Sequence, residues 1–302
     1  MDNEILIVGT GALASLFAAR LAAIGQHVTM LGSWAAGLDA LRREGVRLTG
    51  ADGLEQAYPV RVTDDPTTCG YARYALVLVK SWQTERAASQ LARCLDGDGL
   101  ALTLQNGVGN REILARTLGL PRVALGVTTT GATLLGPGLV RAGGDGTVSI
   151  EQHPRLELLA DALRVAGFNV DVVSDAQTLI WGKLVINAAI NPLTALLRVP
   201  NGALLDRPTA RRLMADLAVE AAAVAGAQGV RLPFQDPVRA AEDVARRTAA
   251  NHSSMFQDVR RGAPTEIDAI CGAVVQSGKQ HGVPAPVNDV CWRLVKAIAV
   301  SV

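Results

Sequence analysis

The segment Ile5-Leu6-Ile7-Val8-Gly9-Thr10-Gly11-Ala12-Leu13-Ala14 limits what this chain can fold into more than any other stretch. Four aliphatic residues closed by a glycine read as a buried strand, and residues 13–24 carry helical periodicity. Between the two lies Gly-x-Gly-x-x-Ala. Gly9 permits the tight turn, Gly11 lets backbone approach a pyrophosphate, and Ala14 is small enough for helix and strand to pack. The N-terminus of the following helix offers free N–H groups and a partial positive charge to a phosphate. Gly9, Thr10, Gly11, Ala12, Leu13 and Ala14 are therefore the expected cradle of a dinucleotide. The plainer reading of the same residues is a tight turn that binds nothing.

Such a turn needs a sheet around it. Residues 28–31, 75–79, 101–104 and 123–127 are short aliphatic runs, and 83–95 carries helical periodicity between two of them. This alternation predicts βαβ units, hence an α/β fold with a Rossmann-like doubly wound sheet. Glycines then punctuate two β-prone pieces, 138–141 and 146–150, which are expected to join that sheet as antiparallel strands. A helix over 155–166 and a strand over 169–173 follow. Beyond residue 174 strand signals stop, and 175–197, 209–228, 237–250 and 266–281 all read as helices. The expected organisation is a dinucleotide-binding domain over 1–174 and an all-helical substrate and catalytic domain over 175–302.

Composition narrows the partners. The chain has 302 residues, 49% of them hydrophobic, enough for a sizeable core, and its formal charge of +1 gives no general attraction to nucleic acid or anionic lipid. The N-terminus begins with Asp2 and Glu4 rather than the basic start of a signal peptide, and no apolar stretch reaches the ~18 residues of a membrane span. Cys69, Cys94, Cys271 and Cys291 are scattered without a CxxC pair, so reduced, buried thiols and a cytoplasmic location are expected. His27, His153, His252 and His281 do not cluster, and no metal is expected.

The second strand ends at Leu31-Gly32-Ser33, and residues 29–34 contain no carboxylate. An NAD site usually places Asp or Glu there for the ribose 2′-hydroxyl, whereas an uncharged Ser33 accepts a 2′-phosphate without repulsion. NADP (as NADPH) is the expected cofactor. Arg42 and Arg43 lie close enough in sequence to reach that 2′-phosphate, and the alternative, slightly preferred, is a solvated helix face.

A second informative stretch runs from Trp181 to Pro192. Lys183, Asn187 and Asn191 fall at i, i+4 and i+8, one face of a helix, amid Leu184, Val185, Ile186, Ala188, Ala189 and Ile190. Buried amides and an ammonium need partners, which a polar ligand supplies. Hydride addition to a ketone leaves negative charge on oxygen, which a lysine ammonium stabilises and protonates, the more readily if burial lowers its pKa. The structural alternative is a snorkelling lysine with two amides bonded to nearby backbone. Pro192 is expected to open the helix around Asn191. Farther on, Asn251 or Ser253 can cap a helix that Gly262 and Pro264 end, and Thr265 can cap the next, with Glu266 in its first turn.

Taken together, these segments resemble the ketopantoate reductase (2-dehydropantoate 2-reductase) family over nearly the whole chain. The resemblance is carried by the glycine loop, Val79-Lys80-Ser81-Trp82-Gln83, Gln105-Asn106-Gly107-Val108-Gly109, and Lys183 with Asn187 and Asn191-Pro192-Leu193-Thr194-Ala195. Pro200-Asn201-Gly202, Ser253-Ser254-Met255 with Gln257-Asp258, and Thr265-Glu266-Ile267-Asp268 complete it. It implies NADPH-dependent reduction of 2-dehydropantoate to pantoate, within pantothenate biosynthesis. Lys183 would donate the proton. Asn187, Asn191, Asn201 and Ser254 would bind the substrate's hydroxyl and carboxylate. Asn106 would bridge cofactor and substrate, Lys80 and Ala132 would line the cofactor, and Glu266 would hold the nicotinamide end and help fix the substrate.

Two features depart from the pattern. The family often carries a basic residue where Ser33 stands. Ser254 and Glu266 would also lie ~18 Å apart on a straight helix, so a bend at 262–264 is predicted. Two rival readings stand beside this one: the same fold acting on another 2-oxo acid, carbonyl or imine, and a non-catalytic NADPH-binding regulator. The expected partner is a small-molecule 2-oxo acid, and the helical second domain can self-associate as a homodimer, with no heptad seam to compel it.

Overall fold

Aliphatic runs without polar alternation become the most deeply covered strands. β1 (Ile5–Val8) and β2 (Val28–Leu31) are buried at every position, because a parallel strand with helices on both faces has no solvent side. The computed structural model describes residues 4–50, 52–144 and 146–299. The chain divides into two units, Met1–Gln105 with Asn110–Ala176, and Asn106–Gly109 with Gln177–Val302.

In the first unit α1 (Ala12–Ala23) follows β1, and α2 (Ala35–Glu44), β3 (Val46–Thr49), β4 (Glu55–Tyr58) and β5 (Arg61–Thr63) follow β2. Then come β6 (Ala72–Val77), α3 (Thr84–Cys94), β7 (Leu95–Thr103), α4 (Asn110–Leu118) and β8 (Val123–Thr128). The unit closes with β9 (Ala132–Gly136), β10 (Leu139–Ala142), β11 (Thr147–Glu151), α5 (Glu157–Val165) and β12 (Asn169–Val173). Eight strands form one sheet in the order β12-β11-β8-β7-β6-β1-β2-β5. Its pairings are parallel except that β11 runs antiparallel to β8. This order, with β1 in the middle and crossovers on both sides, is the expected doubly wound α/β sheet. The ring of Phe17 on α1 stacks on Phe168 with centroids 4.2 Å apart, fixing that helix to the core.

One expectation about this unit needs correcting. The piece around 138–141 does not join the main sheet: β10 belongs to a separate four-stranded sheet, order β4-β3-β10-β9. Val46 of β3 and Val140 of β10 are buried in the same cluster as Leu16 and Phe17 of α1, so the small sheet covers that helix. Its other side is polar and open, with Glu55 and Gln56 exposed, and that polarity left β3 and β4 without a clear strand signal.

The described part of the second unit is helical: α6 (Ala176–Leu197), α7 (Pro208–Ala227), α8 (Pro237–Arg247), α9 (Ser254–Arg260), a π-turn (Asp268–Gly272), α10 (Ala273–His281) and α11 (Pro286–Ile298). The Glu220 carboxylate on α7 accepts from the N–H groups of Val287 and Asn288, both at 2.9 Å, and so caps α11 from a neighbouring helix.

Helix α6 corrects two further expectations. Its 22 residues have a mean hydropathy of 1.3 in their most apolar window, so by length and composition it could cross a membrane, although 72% of that window is buried inside the protein's own core. Lys183, Asn187 and Asn191 interrupt the apolar residues, which is why no continuous run stands out in the sequence. Pro192 does not open this helix either, which runs on to Leu197. A proline has no N–H to give to the carbonyl four residues earlier. That carbonyl belongs to Ala188, and the Cys271 thiol donates toward it at 4.0 Å.

Candidate functional site

The first group of candidate residues sits at the carboxyl ends of the parallel strands of the first unit. Gly9 leaves β1 at φ +130, and a Cβ there would meet the Leu78 carbonyl carbon and oxygen at 3.1 Å, so only glycine fits this turn. Gly11 is the N-cap of α1, makes no side-chain cap bond, and has nothing within 4 Å of where a Cβ would stand. The first N–H groups of a helix lack intrahelical partners. An open approach over uncapped donors suits the pyrophosphate of a dinucleotide. Thr10 is buried with its side chain over Gly32, Ala12 and Leu13 are half-buried, and Ala14 is fully buried in the helix–sheet contact.

Ser33 is exposed at the end of β2. Arg42 pairs with Asp39 at 3.2 Å and Asp64 at 3.3 Å, and Arg43 with Glu44 at 3.7 Å, so both arginines are engaged on a solvated face. Lys80 is half-buried just after β6, ahead of a short 3₁₀ turn, Ser81–Gln83. Ala132 opens β9, half-buried against the core of this unit.

Gln105 had no role in the sequence reading, and the structure supplies one. Its Nε2 donates to the Val79 carbonyl at 3.1 Å and to Thr84 Oγ1 at 2.9 Å, and its Oε1 accepts from Thr103 Oγ1 at 3.0 Å. Thr84 in turn donates to Asn110 Oδ1 at 2.9 Å. This network fixes the loops after β6 and β7 to each other. Only a pairing across some 20 residues reveals it, which no local motif encodes.

The second group lies in the second unit. Lys183, Asn187 and Asn191 follow one another up α6, the first two half-buried and Asn191 buried. Desolvation disfavours the charged form of Lys183, and the Glu266 carboxylate partly offsets this, leaving a pKa lowered to about 8. Glu266 is itself only 5% exposed, and its Oε2 accepts from Asn106 Nδ2 at 3.1 Å. Asn106 reaches it because residues 106–109 pack with this unit: Gly107 at φ +83 lies so close to the Ala269 carbonyl that a Cβ would stand 2.3 Å from the oxygen.

Asn201 is buried where the chain returns toward the 248–251 segment. Its backbone N–H donates to the Asn251 carbonyl at 3.0 Å and its Nδ2 to Thr248 Oγ1 at 2.9 Å, while its buried Oδ1 has no partner. Ser253 caps α9, its Oγ accepting from Phe256 N at 3.1 Å and from Thr194 Oγ1 of α6 at 2.7 Å. Ser254, the first residue of α9, is exposed. Helix α9 stops at Arg260, and Gly262 turns the chain at φ +64, so the predicted bend between Ser254 and Glu266 exists. Thr265 does not cap the following helix, which begins as a π-turn after Ile267 without a side-chain cap bond.

The structure therefore brings together an ammonium of lowered pKa, the buried Glu266 carboxylate that acts on it and the Asn106 amide that contacts that carboxylate; the buried Asn201 amide oxygen, held beside Thr248 and Asn251, has no partner. An ammonium so placed can give up a proton near neutral pH. The four cysteines are buried and free. Among the described residues, no group of three or more His, Cys, Asp or Glu is placed to hold a metal ion.

Comparison with known proteins bears on this arrangement. The family described as ketopantoate reductase PanE/ApbA matches residues 5–155, and its C-terminal counterpart matches 175–299. A 2-dehydropantoate 2-reductase from Halobacterium salinarum is 37% identical over 97% of this chain and 98% of its own length. One from Archaeoglobus fulgidus is 37% identical over 98% of each. Among solved structures, a PanE/ApbA family ketopantoate reductase from Ralstonia eutropha aligns over 98% of both chains at 32% identity with a TM-score of 0.92. A D-mandelate dehydrogenase in a ternary structure with NADH and anilino(oxo)acetate aligns over 98% of this chain and 97% of its own at 26% identity, TM-score 0.90.

Proposed function

This chain belongs to the ketopantoate reductase family, and from that premise we propose that it reduces 2-dehydropantoate to pantoate with NADPH, Lys183 donating the proton. The observation that carries this is the ammonium of Lys183 on an apolar helical wall, its pKa lowered to about 8 under the opposing influence of Glu266.

The glycine loop fits the cofactor. Uncapped N–H groups at the start of α1 and the open side of Gly11 would hold its pyrophosphate, and Ser33 would face the 2′-phosphate. Lys80 and Ala132 would line the same ligand. When bound, NADPH supplies the hydride that the ketone carbon receives. Lys183 stabilises negative charge on the carbonyl oxygen and delivers its proton there. Asn187, Asn191 and Ser254 bind the substrate's polar groups. Glu266 raises the proton affinity of Lys183 and, through its contact with Asn106, keeps that amide in place.

Asn201 bears on substrate choice. Its unpartnered Oδ1 can only accept a hydrogen bond. A carboxylate has no proton to offer it, whereas the 4-hydroxyl of 2-dehydropantoate does. A site with a buried acceptor discriminates against substrates lacking the donor.

The likeness to D-mandelate dehydrogenase keeps a second reading in view, in which another 2-oxo acid is the substrate. Following NADPH absorbance over a panel of 2-oxo acids separates the two. 2-Dehydropantoate should have the highest kcat/KM, and equal or faster turnover of the 2-oxo acid corresponding to mandelate would reject our assignment. We propose further that the enzyme works as a soluble cytoplasmic protein with no membrane or nucleic-acid partner. Its four free thiols and formal charge of +1 support that. Val290, Leu294 and Ile298 are exposed along one side of α11, and a homodimer packed through them is a state that sedimentation velocity can test.

A further inference from the structure

The π-turn that begins two residues after Glu266 has no part in the chemistry so far. Gly272 N donates to the Ile267 carbonyl at 3.0 Å across five residues, and the Glu266 carbonyl accepts from both Ala269 and Ile270 at 3.1 Å. Turns of this kind are rare and are less favourable than α-helix, so something must hold one in place. On one side stands Gly107, against the Ala269 carbonyl. On the other lies the indole of Trp292, seated on Gly272: a Cβ at 272 would stand 2.9 Å from its Cε2 and 3.0 Å from its Nε1. That Nε1 donates to Asp268 Oδ1 at 2.6 Å, and Lys296 Nζ donates to the same carboxylate at 3.0 and 3.4 Å. Helix α11, which carries Trp292 and Lys296, is anchored in turn by Glu220.

We propose that Trp292 and Asp268 are positioning residues for the reaction: their hydrogen bond, made across Gly272, holds the π-turn, and the turn sets the Glu266 carboxylate against Asn106. The proposal rests on the reading of Glu266 and Lys183 as active groups. Its physical basis is register. Relaxing the turn to α-helix would take one residue out of it and rotate everything before it by roughly 100°. Glu266 lies two residues before the turn and its carbonyl accepts from Ala269 and Ile270 within it, so its carboxylate would swing away from Asn106. The exposed ion pair from Lys296 adds little hold. The charge-assisted bond from an indole lodged on a glycine is shorter and better placed.

Three variants test this. Trp292→Phe keeps a ring on Gly272 and removes the donor, Asp268→Ala removes the acceptor, and Asp268→Asn keeps an oxygen for the indole. Trp292→Phe and Asp268→Ala should each lower kcat/KM for 2-dehydropantoate about fivefold. Asp268→Asn should stay near the parent enzyme. In a Glu266→Gln background neither substitution should cause further loss, because both act through that carboxylate. Equal losses in the two backgrounds, or no loss in the parent, would overturn the proposal. If Trp292→Phe does not fold, Asp268→Ala, at an exposed side chain, carries the same test.

A crystal structure of Asp268→Ala supplies a readout independent of activity. The Glu266 carboxylate should have left hydrogen-bond reach of Asn106, and a contact retained at 3.1 Å contradicts the clasp. Absence of 2-dehydropantoate turnover in the parent enzyme would instead reject the functional reading, while the crystal structure still decides the positioning claim.

Discussion

The two units present their polar groups in opposite ways. In the first, the candidate ligand groups are backbone: uncapped N–H groups at the start of α1, reached over a glycine with open space where a Cβ would stand. In the second they are side chains rooted in an apolar wall, where Lys183 loses proton affinity by burial and Asn201 keeps an acceptor without a partner. A backbone site is insensitive to most side-chain changes and is blocked by one added carbon. A side-chain site is lost by truncation and leaves the fold intact. Substitutions in the two units should therefore fail in different assays.

The largest expected effect is in the second unit. Lys183→Ala should lower kcat by roughly 10²–10⁴, with the NADPH dissociation constant unchanged by fluorescence titration. A parallel loss of NADPH binding would erase the distinction between the units. Next comes Gly11→Ala, which meets no protein atom within 4 Å. It should leave the melting temperature alone and weaken NADPH about tenfold. Gly9→Ala sharpens the contrast: at φ +130 and 3.1 Å from the Leu78 backbone, it should cost about 1–3 kcal/mol of folding stability, measured by denaturant titration.

A smaller effect distinguishes the groups within the second unit. The Glu266 carboxylate raises the pKa of Lys183, so Glu266→Gln should lower it and move the alkaline limb of the kcat profile below about pH 8. A limb moving upward would show that Glu266 does not act on Lys183 by charge. The smallest effect belongs to the exposed end of β2. Ser33→Arg should tighten NADPH about fivefold and leave NADH unchanged, the scale of a solvent-screened ion pair. Equal changes for both cofactors would place Ser33 away from the 2′-phosphate.

What could be read in the sequence follows from range. Gly9 and Gly11 act within one turn, and the Lys183–Asn187–Asn191 face within one helix, so short windows displayed both. The aliphatic strands of the main sheet were equally plain. The small sheet was not, because β3 buries only Val46, β4 is exposed at Glu55, Gln56 and Ala57, and Arg47, Glu55 and Gln56 stand among few apolar residues. Helix α11 also went unread. Its start depends on the Glu220 carboxylate, which lies 67 residues from Val287. The contacts of Glu266 are longer in range still, since Asn106 lies 160 residues away. The π-turn has no local signature, as it is held by Gly107 and Trp292 from either side. Pro192 misled for a related reason: the helix runs through it, and the Ala188 carbonyl that it cannot pair is approached by the Cys271 thiol, from a different helical segment.

The central claim is that Lys183 supplies the proton, and the pH dependence of 2-dehydropantoate reduction by the parent enzyme and Lys183→Ala tests it most directly. Donation needs the ammonium, so kcat should be full below about pH 8 and fall above it as that group deprotonates, with oxidation of pantoate rising over the same range. Lys183→Ala should retain only a residual rate with no such limb. A parent profile flat through roughly pH 10, the range of an ordinary lysine, or a variant turning over at the parent rate, would contradict the account.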